Sequence, residues 1–96
     1  MIFEEFESSL LNKQPPAGLS PYLRALWYEK QGDWDSGHET VQDLSDKNAA
    51  WIHAYLHRKE GDEGNARYWY RQASKPFPSD QSLDEEWDSL VRTFLS

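Results

Sequence analysis

Two histidines at helical spacing are the residues of this chain most suited to chemistry. His53 and His57 are four residues apart, and side chains at i and i+4 project from the same side of a helix. Neutral imidazoles bind transition metals and can carry protons, and His38 is close enough in the chain to add a third ring. Without a His-Glu-x-x-His pattern or any cysteine, we expect no metal and favour histidines that form hydrogen bonds beside an aromatic core.

A basic and aromatic cluster follows in the next predicted helix. Arg67 and Arg71 are also four residues apart, with Tyr70 between them. Guanidinium groups bind carboxylates or phosphates through paired hydrogen bonds. We predict a binding site at which His53, His57, Arg67, Tyr70 and Arg71 face one cleft. The alternative is that the arginines pair with acidic side chains across the surface, as exposed arginines usually do.

The sequence contains no recognisable catalytic machinery. Adjacent carboxylates such as Glu4 with Glu5 and Glu85 with Glu86 lie where first helical turns are predicted, and there they favour the helix dipole. No nucleophile motif and no glycine-rich phosphate loop is present. We therefore expect no cofactor, and we favour a protein that is not an enzyme over one that is.

These candidate residues must be positioned by helices, because apolar residues recur at steps of three and four almost throughout the chain. Ser20-Pro21, Asp33, Asp46 or Asn48, and the Ser82/Glu85 pair are typical helix starts. The patterns predict an all-α domain of about six helices. Its parts are a hairpin over 20–45, a hairpin over 46–75, in which the helix from Ala49 to Glu60 is central, and flanking helices over 2–12 and 82–95.

An internal repeat supports the two hairpins. Residues 28–33 (Tyr-Glu-Lys-Gln-Gly-Asp) recur 29 positions later as residues 57–62 (His-Arg-Lys-Glu-Gly-Asp). Small residues also recur at this offset, as Ala25 with Ala54 and Gly37 with Ala66, where two helices joined by a tight turn must approach closely.

The second hairpin resembles tetratricopeptide-like short helical repeats. The residues that carry the resemblance stand at the spacings of that family, and they are Ala54, Gly61, Ala66, Tyr70, Ala73 and Pro78. The resemblance implies a right-handed array of antiparallel hairpins or a compact bundle, and a role in protein interaction.

Size and charge limit the function further. With 96 residues the chain forms one domain, and its net charge of −7 disfavours nucleic acid. No apolar run approaches the roughly 20 residues of a membrane span, so we expect a cytoplasmic protein.

Residues 53–75 differ from the rest of this acidic chain, because they carry five basic and three acidic side chains. The leading hypothesis is an interaction domain that binds a protein segment, or a second copy of itself, through the second hairpin; the alternative is a small-ligand or metal-binding protein that uses the His/Arg/Tyr cluster.

Overall fold

The computed structural model describes residues 1–96 as six α-helices without a β-strand. This architecture confirms the predicted all-α class. The helices are α1 (Phe3–Ser9), α2 (Pro21–Lys30), α3 (Trp34–Val41), α4 (Lys47–Lys59), α5 (Glu63–Gln72) and α6 (Leu83–Leu95).

The helix starts follow the predicted capping residues. Ser20, Asp33 and Asp46 each accept a hydrogen bond from the backbone N–H three residues later. Ser82 and Glu85 form the predicted capping box, in which each side chain accepts from the backbone N–H of the other residue. These caps satisfy amide groups that have no partner inside the helix.

The first helix is shorter than the predicted segment 2–12. α1 ends at Ser9, and Leu10, Leu11 and Asn12 donate to carbonyls three residues earlier, as in a tight turn. Proline restricts the residue directly before it, here Gln14, so the end at Ser9 reflects the change to these tighter three-residue bonds and not the proline pair at positions 15 and 16.

The two Gly-Asp pairs form the same turn at the ends of α2 and α4. Gly32 and Gly61 have φ of +89° and +85°, a conformation that glycine adopts without steric cost. In both turns the aspartate N–H donates to the carbonyl five residues earlier, Asp33 to Tyr28 and Asp62 to His57. This bond closes the helix end and directs the chain back along the preceding helix.

The end of α5 has this turn geometry with a serine in place of the glycine. Ser74 has φ of +58°, and Lys75 N–H donates to the carbonyl of Tyr70. We expect Ser74→Gly to raise the free energy of unfolding by about 0.5–1 kcal/mol, because it removes left-handed strain. Urea unfolding measures this change, and Ser79→Gly, at an exposed serine without positive φ, is expected to lower stability slightly. A lower free energy of unfolding in Ser74→Gly would show that the left-handed conformation of Ser74 does not destabilise the protein.

Helix α4 lies at the centre of the fold, as predicted. It packs against α5 and also contacts α2, α3 and α6, while α2 packs against α3 and α1 against α6. Trp87 of α6 is 1% exposed; its ring contacts Phe3 and Phe6, and its indole N–H donates to the carbonyl of Leu26. Because α4 has neighbours on several sides, its side chains take part in every candidate site.

Candidate binding sites

One candidate site is a cluster of three histidines where α3 packs against α4. Helix α4 presents His53 and His57 one turn apart, and α3 places His38 against both, with ring centroids 5.2 Å and 5.7 Å away. One nitrogen of each ring lies within 4.8 Å of one nitrogen in each of the other two rings. The structure therefore joins the histidine pair to the third ring, and we call these residues the histidine cluster.

Hydrogen bonds determine which nitrogen of two rings carries the proton. Nε2 of His53 lies 3.1 Å from the carbonyl oxygen of Val41, which can only accept, so this nitrogen is the donor. Nδ1 of His57 lies 2.7 Å from Oε1 of Glu60 and donates to that carboxylate. In the neutral rings the free lone pairs are therefore on Nδ1 of His53 and Nε2 of His57. Nδ1 of His53 is buried and has no hydrogen-bond partner.

The surroundings of the cluster orient its rings and disfavour a charge on His38 and His53. Trp34 stacks on His38 at 5.0 Å and Trp69 stacks on His53 at 4.4 Å, both nearly parallel. Burial lowers the pKa of His53. Burial, followed by repulsion from a charged His57, lowers the pKa of His38. Both shifts favour uncharged imidazoles near neutral pH.

The predicted arginine pair lies apart from the histidine cluster. The guanidinium of Arg67 lies over the ring of Phe77 at 4.2 Å, and its Nε donates to Glu63 at 3.2 Å. Arg71 is exposed and forms no ion pair. No hydrogen bond, ion pair or cavity joins either arginine to the histidines, so the structure does not bring the predicted residues into one cleft.

Tyr70, the fifth predicted residue, belongs to a groove beside α4 and α5. Its side chain is 2% exposed, and its hydroxyl donates to Glu86. Burial and the hydrogen bond to Glu86 raise the pKa of Tyr70, so the phenol remains a donor. The groove has a volume of about 410 Å³. Its lining, which defines what we call the Trp51 groove, is Trp51, Tyr70, Lys75, Pro76, Phe77, Pro78, Ser79, Asp80, Gln81 and Glu86.

Glu86 forms the floor of this groove, whereas its place in a first helical turn predicted only an interaction with the helix dipole. Its carboxylate is buried and accepts from the indole N–H of Trp51 at 3.1 Å, from Arg58 at 2.9 Å and from the hydroxyl of Tyr70. The apolar pattern of the helix could have indicated this burial, because Glu86 adjoins the apolar series Leu83, Trp87, Leu90.

The groove and the histidine cluster use opposite sides of α4. At 100° per residue, Arg58 lies roughly 20° from Trp51 around the helix, whereas His53 and His57 lie roughly 200° and 240° from it. The fold therefore presents two separate candidate sites that share one helix.

Comparisons with known protein families, with curated proteins and with solved structures gave no match to this chain. None of the six helices has the length and apolar character that are needed to cross a membrane.

Proposed function

We propose that this protein is a non-enzymatic interaction domain that binds a protein segment in the Trp51 groove. The observation that carries the proposal is a pair of partly buried aromatic rings, Trp51 and Phe77, in the lining of one concave surface. Partly exposed rings in a concave site supply a large contact area for a partner, and aromatic side chains often dominate binding energies.

The rigidity of the groove supports this proposal. Two lining residues, Trp51 and Tyr70, donate to the buried carboxylate of Glu86, and so does Arg58 behind the groove. Arg58 also compensates the charge of Glu86 at 2.9 Å. A preformed surface lowers the ordering cost of binding.

The charges beside the groove indicate the chemistry of the segment. The ammonium of Lys75 lies 4.3 Å from the ring centre of Trp51 and has no carboxylate partner. The guanidinium of Arg67 covers Phe77. We therefore expect a segment with an aromatic or aliphatic residue for the rings and a neighbouring aspartate or glutamate for Lys75.

Selection from a phage-displayed library of random peptides tests this proposal. We expect the selected sequences to combine an apolar residue with an acidic neighbour. In fluorescence anisotropy, Phe77→Ala is expected to lower the affinity for a selected peptide by at least about tenfold. Lys75→Glu is expected to lower this affinity as well, because it reverses the charge that faces the peptide's acidic residue.

Tyr68→Ala is the matched control, because Tyr68 is an exposed ring outside the groove; its peptide affinity is expected to equal that of the wild type. Circular dichroism of each variant separates loss of binding from loss of fold. Selected peptides that bind the Phe77→Ala variant as tightly as the wild type, or a library that yields no binder, would refute the proposal.

A further inference from the structure

The histidine cluster contains lone pairs that the fold does not use. Nδ1 of His53 is the one buried side-chain nitrogen or oxygen atom without a hydrogen-bond partner, and its residue is 2% exposed. Leaving such an acceptor unpaired costs about 1–3 kcal/mol, so an unmade bond at this position points to a ligand. Nε2 of His57 and both ring nitrogens of His38 also form no hydrogen bond within the protein.

The bonds that do exist match the pattern found in metal-binding histidines. A metal-ligating imidazole typically donates its other N–H to a backbone carbonyl or a carboxylate, which sets its tautomer and orientation. His53 donates to the carbonyl of Val41, and His57 donates to Glu60. Both types of supporting partner are therefore present in one cluster.

Carboxylates around the cluster favour a cation. Asp35, Glu39 and Glu60 act on His38 electrostatically, and one oxygen of Glu60 and one of Asp62 lie within 4.8 Å of a nitrogen of His57. A concentration of negative charge at a partly open site attracts cations and raises their local concentration.

The spacing of the nitrogens requires only a small adjustment. Tetrahedral zinc with nitrogen ligands at 2.0–2.1 Å places those ligands about 3.3–3.4 Å apart, and the cluster holds them within 4.8 Å. His38 is the most exposed of the three rings and lies on the short helix α3, so its side chain can close the gap.

We propose that the histidine cluster binds one divalent transition-metal ion through one nitrogen each of His38, His53 and His57. Imidazole ligands select zinc, copper or nickel over magnesium and calcium, which prefer oxygen. Three protein ligands leave a fourth coordination position for water or an external ligand. This site lies across α4 from the Trp51 groove and does not depend on the proposed function.

Isothermal titration of the protein, purified without a histidine tag, with ZnCl₂, NiCl₂ and CuCl₂ tests the proposal. We expect one equivalent to bind, with no binding of MgCl₂ or CaCl₂. Zinc at a hundredfold excess over its dissociation constant is expected to raise the unfolding midpoint by roughly 10 °C or more. His38→Gln is the first variant because His38 is partly exposed, and it is expected to weaken zinc binding by at least about tenfold.

Asp43→Asn is the matched control, since Asp43 is an exposed acid at the end of α3 that makes no hydrogen bond or ion pair. Its zinc affinity is expected to stay within about twofold of the wild type, because exposed charges are strongly screened. Zinc binding that is unchanged in His38→Gln, or magnesium bound as tightly as zinc, would assign the ion to the Glu60 and Asp62 carboxylates and overturn the proposal. So would a wild-type protein that binds none of the three transition metals.

Discussion

Glu86→Ala is expected to lower the free energy of unfolding by about 3–5 kcal/mol, the cost typical of removing one partner from a buried ion pair. The substitution leaves Nη1 of Arg58 and the hydroxyl of Tyr70 without their acceptor, while Nη2 of Arg58 keeps its bond to the carbonyl of Gln81. It also removes the acceptor for the indole N–H of Trp51. For a domain whose total stability is on the order of 5–15 kcal/mol, this loss is severe.

Urea unfolding followed by circular dichroism measures this change. Asp88→Ala is the matched control, because Asp88 is an exposed acid on the same helix, and its stability is expected to stay within about 0.5 kcal/mol of the wild type. A loss below about 1 kcal/mol in Glu86→Ala would show that the carboxylate does not hold α4, α5 and α6 together.

Gly37→Ala is expected to destabilise the protein, although the same change at Gly64 is expected to stabilise it. A Cβ atom at Gly37 would lie 2.9 Å from the carbonyl oxygen of Ala25, on the backbone of α2, whereas a Cβ at Gly64 meets nothing within 4 Å. Overpacking costs about 1–3 kcal/mol, which exceeds the gain of about 1 kcal/mol in helix propensity. We expect a net loss of up to about 2 kcal/mol at Gly37.

Gly64→Ala serves as the control for this substitution and is expected to gain about 0.5–1 kcal/mol, since Gly64 is exposed within α5. Both variants can be compared by urea unfolding under identical conditions. Equal shifts of the same sign would mean that α2 and α3 do not approach as closely as the structure indicates.

Local patterns predicted most of the fold. Serine and aspartate caps determined where helices begin, and Gly32 and Gly61 determined where two of them end, because each signal acts through bonds between residues close in the chain. The early end of α1 was missed because the periodic pattern of apolar residues continues to Leu10 and does not show where four-residue hydrogen bonds change to three-residue ones.

The candidate sites were less predictable, because they depend on how whole helices rotate against one another. The i, i+4 spacing correctly placed His53 and His57 on one side of α4. No local pattern shows that α5 turns Arg67 toward Phe77 and Trp69 toward His53. Likewise, the donors that surround Glu86 come from residues 16 to 35 positions earlier in the chain. Only tertiary packing brings them together.

The packing of α3 on α4 determines the position of His38 in the histidine cluster. Trp34 donates its indole N–H to the carbonyl of Leu56 at 2.9 Å, and His53 donates to the carbonyl of Val41. These two bonds tie the short helix α3 to the central helix near both of its ends. They hold His38 against His53 and His57, as the proposed metal site requires.

Long-range ¹H–¹⁵N NMR of the imidazole rings, recorded before and after one equivalent of zinc, tests most directly that the three histidines form one site. Without zinc, we predict a neutral His53 protonated on Nε2 and a His57 protonated on Nδ1. With zinc, the signals of all three rings are predicted to shift together and to saturate at one equivalent. Opposite tautomers, or a zinc response confined to one or two of the rings, would contradict the account.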